Sequence, residues 1–213
     1  MSPVSRRDAL VLAAMLGAGG AALIAVRTTR PVGIVLEPSP VLDAAWAEQR
    51  PETGPADADL KLLVFTDYNC GACRMAHPDM MAAARADGRV SIRFFDWPIF
   101  GDDSRAAALG ALAAARQGLY LPVHSGLMAG GRADGQSAEA ALEAAGGNVS
   151  AYREALAQRS PEFEGQLARN AFHAFAIGLG GTPGHLIGRV LVRGAVSERG
   201  FRRAFEQARA LNR

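Results

Sequence analysis

Two cysteines, Cys70 and Cys73, stand three residues apart, and the 213-residue chain holds no others. Directly before them runs Leu60-Lys61-Leu62-Leu63-Val64-Phe65-Thr66, a short, mostly apolar stretch that predicts a buried strand. After the loop Asp67-Tyr68-Asn69, the segment from Cys70 through Met80 and Ala84 predicts a helix. The pair therefore opens a helix, where unsatisfied backbone N–H groups and the positive end of the helix dipole favour a thiolate. Cys70, at the helix edge, is expected to be exposed, and Cys73, in the first turn, to be more covered. Such a pair suits a nucleophile and a resolving thiol that exchange disulfides through a mixed-disulfide intermediate. Other uses of two cysteines stay open. A structural disulfide across so short a loop constrains little chain and adds little stability. A zinc site needs two more ligands, and no second C-x-x-C exists, although His77 is a candidate third ligand.

The rest of the body reads as α/β. Val90-Ser91-Ile92-Arg93-Phe94-Phe95 predicts a second strand, and the order β–α–β implies a parallel pair with a crossover helix. Helices are expected over 104–117, 123–128 and 137–145, each stopping at glycine, and over 149–158 after the cap residue Asn148. Ser160-Pro161 looks like a cap with proline at the first helical position, so a new helix is expected from there to about Leu179. Its buried face holds Phe163, Leu167 and Ala171. The segment from Thr182 to Ile187, a Gly188-Arg189 turn and Val190-Leu191-Val192 predict a hairpin. The segment 197–211 closes the chain as a helix with Phe201, Ala204, Phe205 and Ala208 on one face.

The N-terminal region differs from the body. Ala9 to Val26 is an uncharged run of 18 residues behind Ser5-Arg6-Arg7, a pattern similar to a twin-arginine export signal. A cleaved signal and a retained membrane anchor are both open for residues 1–30, and either places the body outside the cytoplasm. Residues 31–58 carry five prolines and no sustained periodicity, and are expected to be a tether with a short helix over 43–49. The formal charge of +2 falls to −1 without the first thirty residues, nineteen basic against twenty acidic side chains, which argues against nucleic-acid binding.

The segment Phe65-Thr66-Asp67-Tyr68-Asn69-Cys70-Gly71-Ala72-Cys73-Arg74 resembles the active-site segment of DsbA-like thiol–disulfide oxidoreductases of the thioredoxin superfamily. The resemblance extends to Trp97-Pro98-Ile99-Phe100-Gly101 with Ser104, and to Gly181-Thr182-Pro183, so it spans roughly residues 60 to 211. It implies a thioredoxin fold over 59–213 with an inserted helical subdomain at about 101–179, preceded by the signal or anchor segment. It also implies a cis Thr182–Pro183 bond beside Cys70, where the Thr182 backbone pairs with an extended substrate chain. Cys70 and Cys73 would be the redox pair, protein or peptide thiols and disulfides the substrates, and a membrane redox partner the means of recycling. No organic cofactor and no metal is implied, and the site is expected in the periplasm or a similar compartment.

The chain also departs from that family. Gly71-Ala72 replaces the Pro-His of the strongest oxidants, and Val64 stands where thioredoxins carry a buried acid. Asp67, the nearest carboxylate, reads either as an aid to proton transfer or as a polar loop or capping residue. His185, two residues after Pro183, falls where related sequences tend to be apolar or aromatic. It reads as a modulator of the thiolate, as a metal ligand with the cysteines, or as an ordinary buried histidine. Two rival functions therefore stand beside the oxidoreductase: a soft-metal protein using Cys70, Cys73 and His77 or His185, and a redox-inactive binding module. The direction of electron flow and the oligomeric state are not set by these residues.

Overall fold

The computed structural model describes residue 15 and residues 31–211. The signal or anchor expected over residues 1–30 thus falls, Met15 aside, outside the described residues. Among those described, no helix is long and apolar enough to cross a membrane.

Two seven-residue strands form the centre of the sheet. Strand β3 (Leu60–Thr66) and strand β4 (Val90–Asp96) pair in parallel, from Leu60 opposite Val90 to Thr66 opposite Asp96, and helix α2 (Gly71–Asp87) crosses between them. This is the predicted β–α–β unit. On the other side of β3 lies the hairpin β5 (Gly184–Ile187) and β6 (Val190–Arg193), antiparallel, with Leu63 opposite Leu186 and Val64 opposite His185. Gly188 turns the hairpin at φ +54°, a left-handed conformation that a side chain would strain.

Residues 31–58 are not a tether. Strand β1 (Ile34–Val35) pairs antiparallel with β6 at one edge of the sheet, and strand β2 (Glu52–Thr53) pairs with β4 at the other. The full order is β1-β6-β5-β3-β4-β2. Between the edge strands, helix α1 (Pro40–Ala47) crosses one face and buries Leu42 and Ala45 against Leu63, Phe65, Phe95 and Leu186. Ser39 caps α1, and Pro40 occupies its first turn. Polar groups fasten the segment as well. The Arg50 guanidinium lies 5.3 Å from the centroid of the Phe95 ring, donates to Asn170 and pairs with Glu48 at 2.8 Å. Prolines hid this docking from the sequence, because two-residue strands have no period to detect.

The helices between the strands form the insert: α3 (Asp102–Ala115), α4 (Tyr120–Ala129), α5 (Gly135–Ala144) and α6 (Val149–Ala176). The two helices expected at 149–158 and from Ser160 are one helix, with Pro161 inside it. Pro161 cannot donate to the carbonyl of Ala157, but that stretch is exposed, so water can satisfy the carbonyl. Tyr152 before the proline and Phe163 and Leu167 after it are all buried, so both halves serve the same packing. Helix α7 (Glu198–Ala210) lies against α2 and carries the predicted buried face of Phe201, Ala204, Phe205 and Ala208.

If α1 is part of the core, Leu42→Ala should lower unfolding stability in urea by about 2–4 kcal/mol, the usual cost of emptying a buried leucine site. A change below about 0.5 kcal/mol, the level of a surface substitution, would mean that α1 is not docked.

Candidate active site at Cys70 and Cys73

Cys70 is the N-cap of α2, and its sulfur does what a serine or aspartate oxygen does at most helix starts. Sγ accepts the backbone N–H of Cys73 at 3.2 Å, and the Cys70 thiol lies 3.4 Å from the Thr182 carbonyl as donor. Both cysteines are free thiols. Cys70 exposes only 3% of its surface and Cys73 only 2%, so the expected exposure of Cys70 is overturned. The reason is the Thr182 loop, which the topology lays against the start of α2 just before β5. The Thr182–Pro183 bond is cis, and Gly194 N–H donates to the Pro183 carbonyl at 2.8 Å.

The two thiols differ in acidity. A hydrogen bond from the Cys73 thiol is the largest influence on Cys70, whose pKa falls to about 6 although burial opposes this; the Thr182 side chain and the N–H groups of Cys73 and Ala72 add to it. Cys73 moves the other way, well above the ordinary thiol range, because it is the donor to Cys70 and is buried. At neutral pH this makes Cys70 the thiolate and leaves Cys73 with its proton.

The Asp67 side chain lies where three segments meet. One carboxylate oxygen accepts Asn69 N–H at 2.7 Å and the Ser104 hydroxyl at 2.8 Å; the other accepts Ile99 N–H at 2.6 Å and Phe100 N–H at 3.0 Å. Four donors from three segments make it a clamp between β3, the Trp97–Gly101 loop and α3. Asn69 extends the clamp through Ser104 and both backbone groups of Ala133. Arg74 donates to the carbonyls of Tyr68, Gly130 and Gly131, closing the end of α4 over the active-site loop.

His185 is buried opposite Val64 and borders a small enclosed cavity shared with Cys73, His77, His124 and Pro183. Its ring stands edge-on to Phe201 at 4.8 Å, Nδ1 has no hydrogen-bond partner, and burial pushes its pKa down to about 4. Among the described residues no group of three or more histidine, cysteine or acidic side chains is placed to hold a metal ion. Outside, Asn69, Gly71, Arg74, Phe100 and Arg132 outline an open surface cavity beside Cys70. Met75 and Phe100 are exposed by 67% and 55% of their surfaces.

A family model described as a DSBA-like thioredoxin domain matches residues 61–206. The chain belongs to the DsbA-like thioredoxin domain family. A thioredoxin-like oxidoreductase from Silicibacter pomeroyi DSS-3 is 30% identical, with a TM-score of 0.71 over 75% of this chain and 92% of that one. The catalytic domain of Proteus mirabilis ScsC is 25% identical, with a TM-score of 0.70 over 79% of this chain and 94% of that one. The thiol–disulfide exchange protein alpha-DsbA2 of Wolbachia pipientis, 24% identical, has the same fold, with a TM-score of 0.72 over 78% of this chain and 90% of that one. No curated protein matches the chain significantly.

Within this DsbA-like frame, several residues carry no motif signal. Asp96, Tyr120 and His124 are buried polar groups beside the site, next to Tyr68 of the active-site segment, and the one hint of them in the sequence is an acid closing the apolar strand β4. The acidity of Cys70 is directly testable. One thiolate per dithiol molecule should titrate near pH 6 by ultraviolet absorbance, and Cys73→Ala should move that inflection upward by removing the largest cause. Because the folded pKa is depressed, the dithiol form should gain stability over the disulfide form as pH rises from about 6 to about 9. A single inflection near 9 in the parent protein would rule out the asymmetry.

Proposed function

We propose that the protein is an exported thiol–disulfide oxidoreductase acting on protein or peptide substrates through Cys70 and Cys73. The observation that carries this reading is the pair itself: a lowered thiolate capping α2 under the Thr182 carbonyl, with a proton-holding thiol one turn further in. Cys70 Sγ attacks a substrate disulfide, a Cys70–substrate disulfide forms, and one substrate thiolate leaves. Cys73 then attacks Cys70 Sγ, the Cys70–Cys73 bond forms, and the second substrate thiolate leaves. In the opposite direction a substrate thiolate opens the Cys70–Cys73 bond and the steps reverse. An extended substrate chain pairs with the Thr182 backbone beside Pro183, and Met75, Phe100, Arg74 and Arg132 receive its side chains.

Residues 1–30 act as an export signal or anchor, the folded unit that follows works in the periplasm, and a membrane redox partner recycles the cysteines. The periplasmic setting is supported by the leader pattern and by the compartment in which disulfides persist. The metal-binding alternative has no supporting cluster among the described residues.

Turnover of a disulfide substrate should be lost in Cys70→Ser, whereas Cys73→Ser should accumulate reducible mixed disulfides. Undiminished turnover in Cys70→Ser would refute the reading. The reduction potential of the pair reads the direction: a value near about −270 mV would place it on the reductase or isomerase side. A value near about −120 mV would instead mean a disulfide donor.

A further inference from the structure

Cys73 has to give up its proton to attack a mixed disulfide and take one back when its own disulfide is opened. Strand β3 offers it no acid or base: Val64 lies beneath it, and Thr66, whose side chain bonds the Cys73 thiol, carries only a hydroxyl. A chain of buried polar groups nevertheless begins in the cavity that Cys73 borders. His124 lines it, and the ring's Nε2 is buried with no hydrogen-bond partner. The other nitrogen, Nδ1, lies 2.9 Å from the Tyr68 hydroxyl. Tyr68 donates to the Tyr120 hydroxyl at 3.5 Å, and Tyr120 donates to the two carboxylate oxygens of Asp96 at 2.9 and 3.0 Å.

When Asp96 is ionised it only accepts, so the Tyr120 proton points at Asp96 and the Tyr120 oxygen can accept from Tyr68. In the tautomer with the proton on Nδ1, His124 donates to the Tyr68 oxygen, and Nε2 is a bare lone pair at the cavity wall. All donors run from Cys73 towards Asp96. The cavity is about the size of one water molecule, and the relay takes a water there as its link from the Cys73 thiol to Nε2.

We propose that His124, Tyr68, Tyr120 and Asp96 form a proton relay for Cys73, an inference that rests on the thiol–disulfide reading above. In the resolving step the Cys73 Sγ–H bond breaks and its electron pair forms the bond to Cys70 Sγ. The bond between Cys70 Sγ and the substrate sulfur breaks, and its pair leaves on the substrate thiolate. The proton passes through the water to His124 Nε2 while the Nδ1 proton moves to Tyr68, the Tyr68 proton to Tyr120 and the Tyr120 proton to Asp96. Asp96 ends as the neutral acid. When the Cys70–Cys73 bond is next opened, the same hops in reverse reprotonate Cys73 and restore the starting orientation.

The surroundings suit these roles. Burial raises Asp96 to about 7 against the lowering bond from Tyr120, so near neutrality it both accepts and releases a proton. The groups facing it are Tyr68, Tyr120, Asp67 and Arg50, and Asn170 donates to its backbone carbonyl. Burial first, and His77 with its ring centroid 5.0 Å away second, hold His124 well below its ordinary range, so the ring passes a proton on rather than keeping it. Its remaining neighbours are Phe94, Tyr68 and Tyr120. His185 also presents a free nitrogen to the cavity. Burial keeps it far less basic than Asp96, so it is the competitor to test.

The dithiol protein should release two thionitrobenzoate ions from Ellman's reagent in stopped flow, the first as Cys70 is modified and the second as Cys73 resolves the adduct. Tyr120→Phe and Asp96→Asn should leave the first phase intact, slow the second on the order of a hundredfold, and remove its pH dependence near 7. His185→Phe should leave both phases as they are. A second phase unchanged in Tyr120→Phe and Asp96→Asn, or slowed only in His185→Phe, would overturn the relay while leaving the oxidoreductase reading intact. A parent protein that shows the first phase without the second would sink that reading and the relay with it. A carbon-13 titration of the Asp96 carboxyl in the parent protein covers the chance that a variant misfolds. An inflection near 7 that shifts between dithiol and disulfide forms supports the relay; one indifferent to redox state overturns it.

Discussion

The Asp67 carboxylate is the point on which the site turns. Its two oxygens receive donors from Asn69, Ile99, Phe100 and Ser104. It thereby holds the end of β3 in fixed relation to the loop after β4 and to the first turn of α3. Hydrogen bonds to a buried charge are among the stronger ones, and leaving such a charge short of partners is costly. The placement of Cys70 follows from this clamp, since Cys70 N–H donates to the Asp67 carbonyl and the helix starts there. So does the position of Phe100, which is pinned by its own N–H and faces the open cavity beside Cys70.

Around that clamp the two cysteines receive opposite treatment from one local geometry. The sulfur at the cap sees two N–H groups and a thiol, all favouring negative charge; the sulfur one turn on sees burial and its own role as donor. The difference comes from position along the helix rather than from charged neighbours, which fits the absence of a histidine at Gly71-Ala72. Wherever Cys73 does need to change its protonation, the polar groups available belong to other elements, Tyr68 before α2, Asp96 at the end of β4, and Tyr120 and His124 on α4.

Much of this was legible from local pattern. The apolar runs at Leu60 and Val90, the Gly188-Arg189 turn and the face of Phe201, Ala204, Phe205 and Ala208 each carry a period or a turn chemistry that survives in the structure. Cys70 and Thr182 lie far apart in sequence, and only the family resemblance joined them. Ser160-Pro161 misled because it has the pattern of a helix start, whereas here the exposed Ala157 carbonyl lets water replace the bond that Pro161 cannot make. Residues 31–58 misled because their strands are held by partners more than 130 positions away (Ile34 by Leu191) or by one side of β4. Asp67 read as an aid to proton transfer or as a loop or capping residue, and neither reading names its donors, which come from segments that no spacing rule connects.

The route of residues 33–53 bears on how such a protein coexists with its proposed clients. Running from one outer margin of the sheet to the other, the segment closes each margin with a strand of two residues. Short margins offer little length of unpaired backbone to a neighbouring chain, which is one way that β-proteins avoid seeding association. A molecule proposed to meet extended chains in quantity gains from this: its own framework is a poor template for them, and they are left to engage at the thiol rather than to accumulate along the sheet.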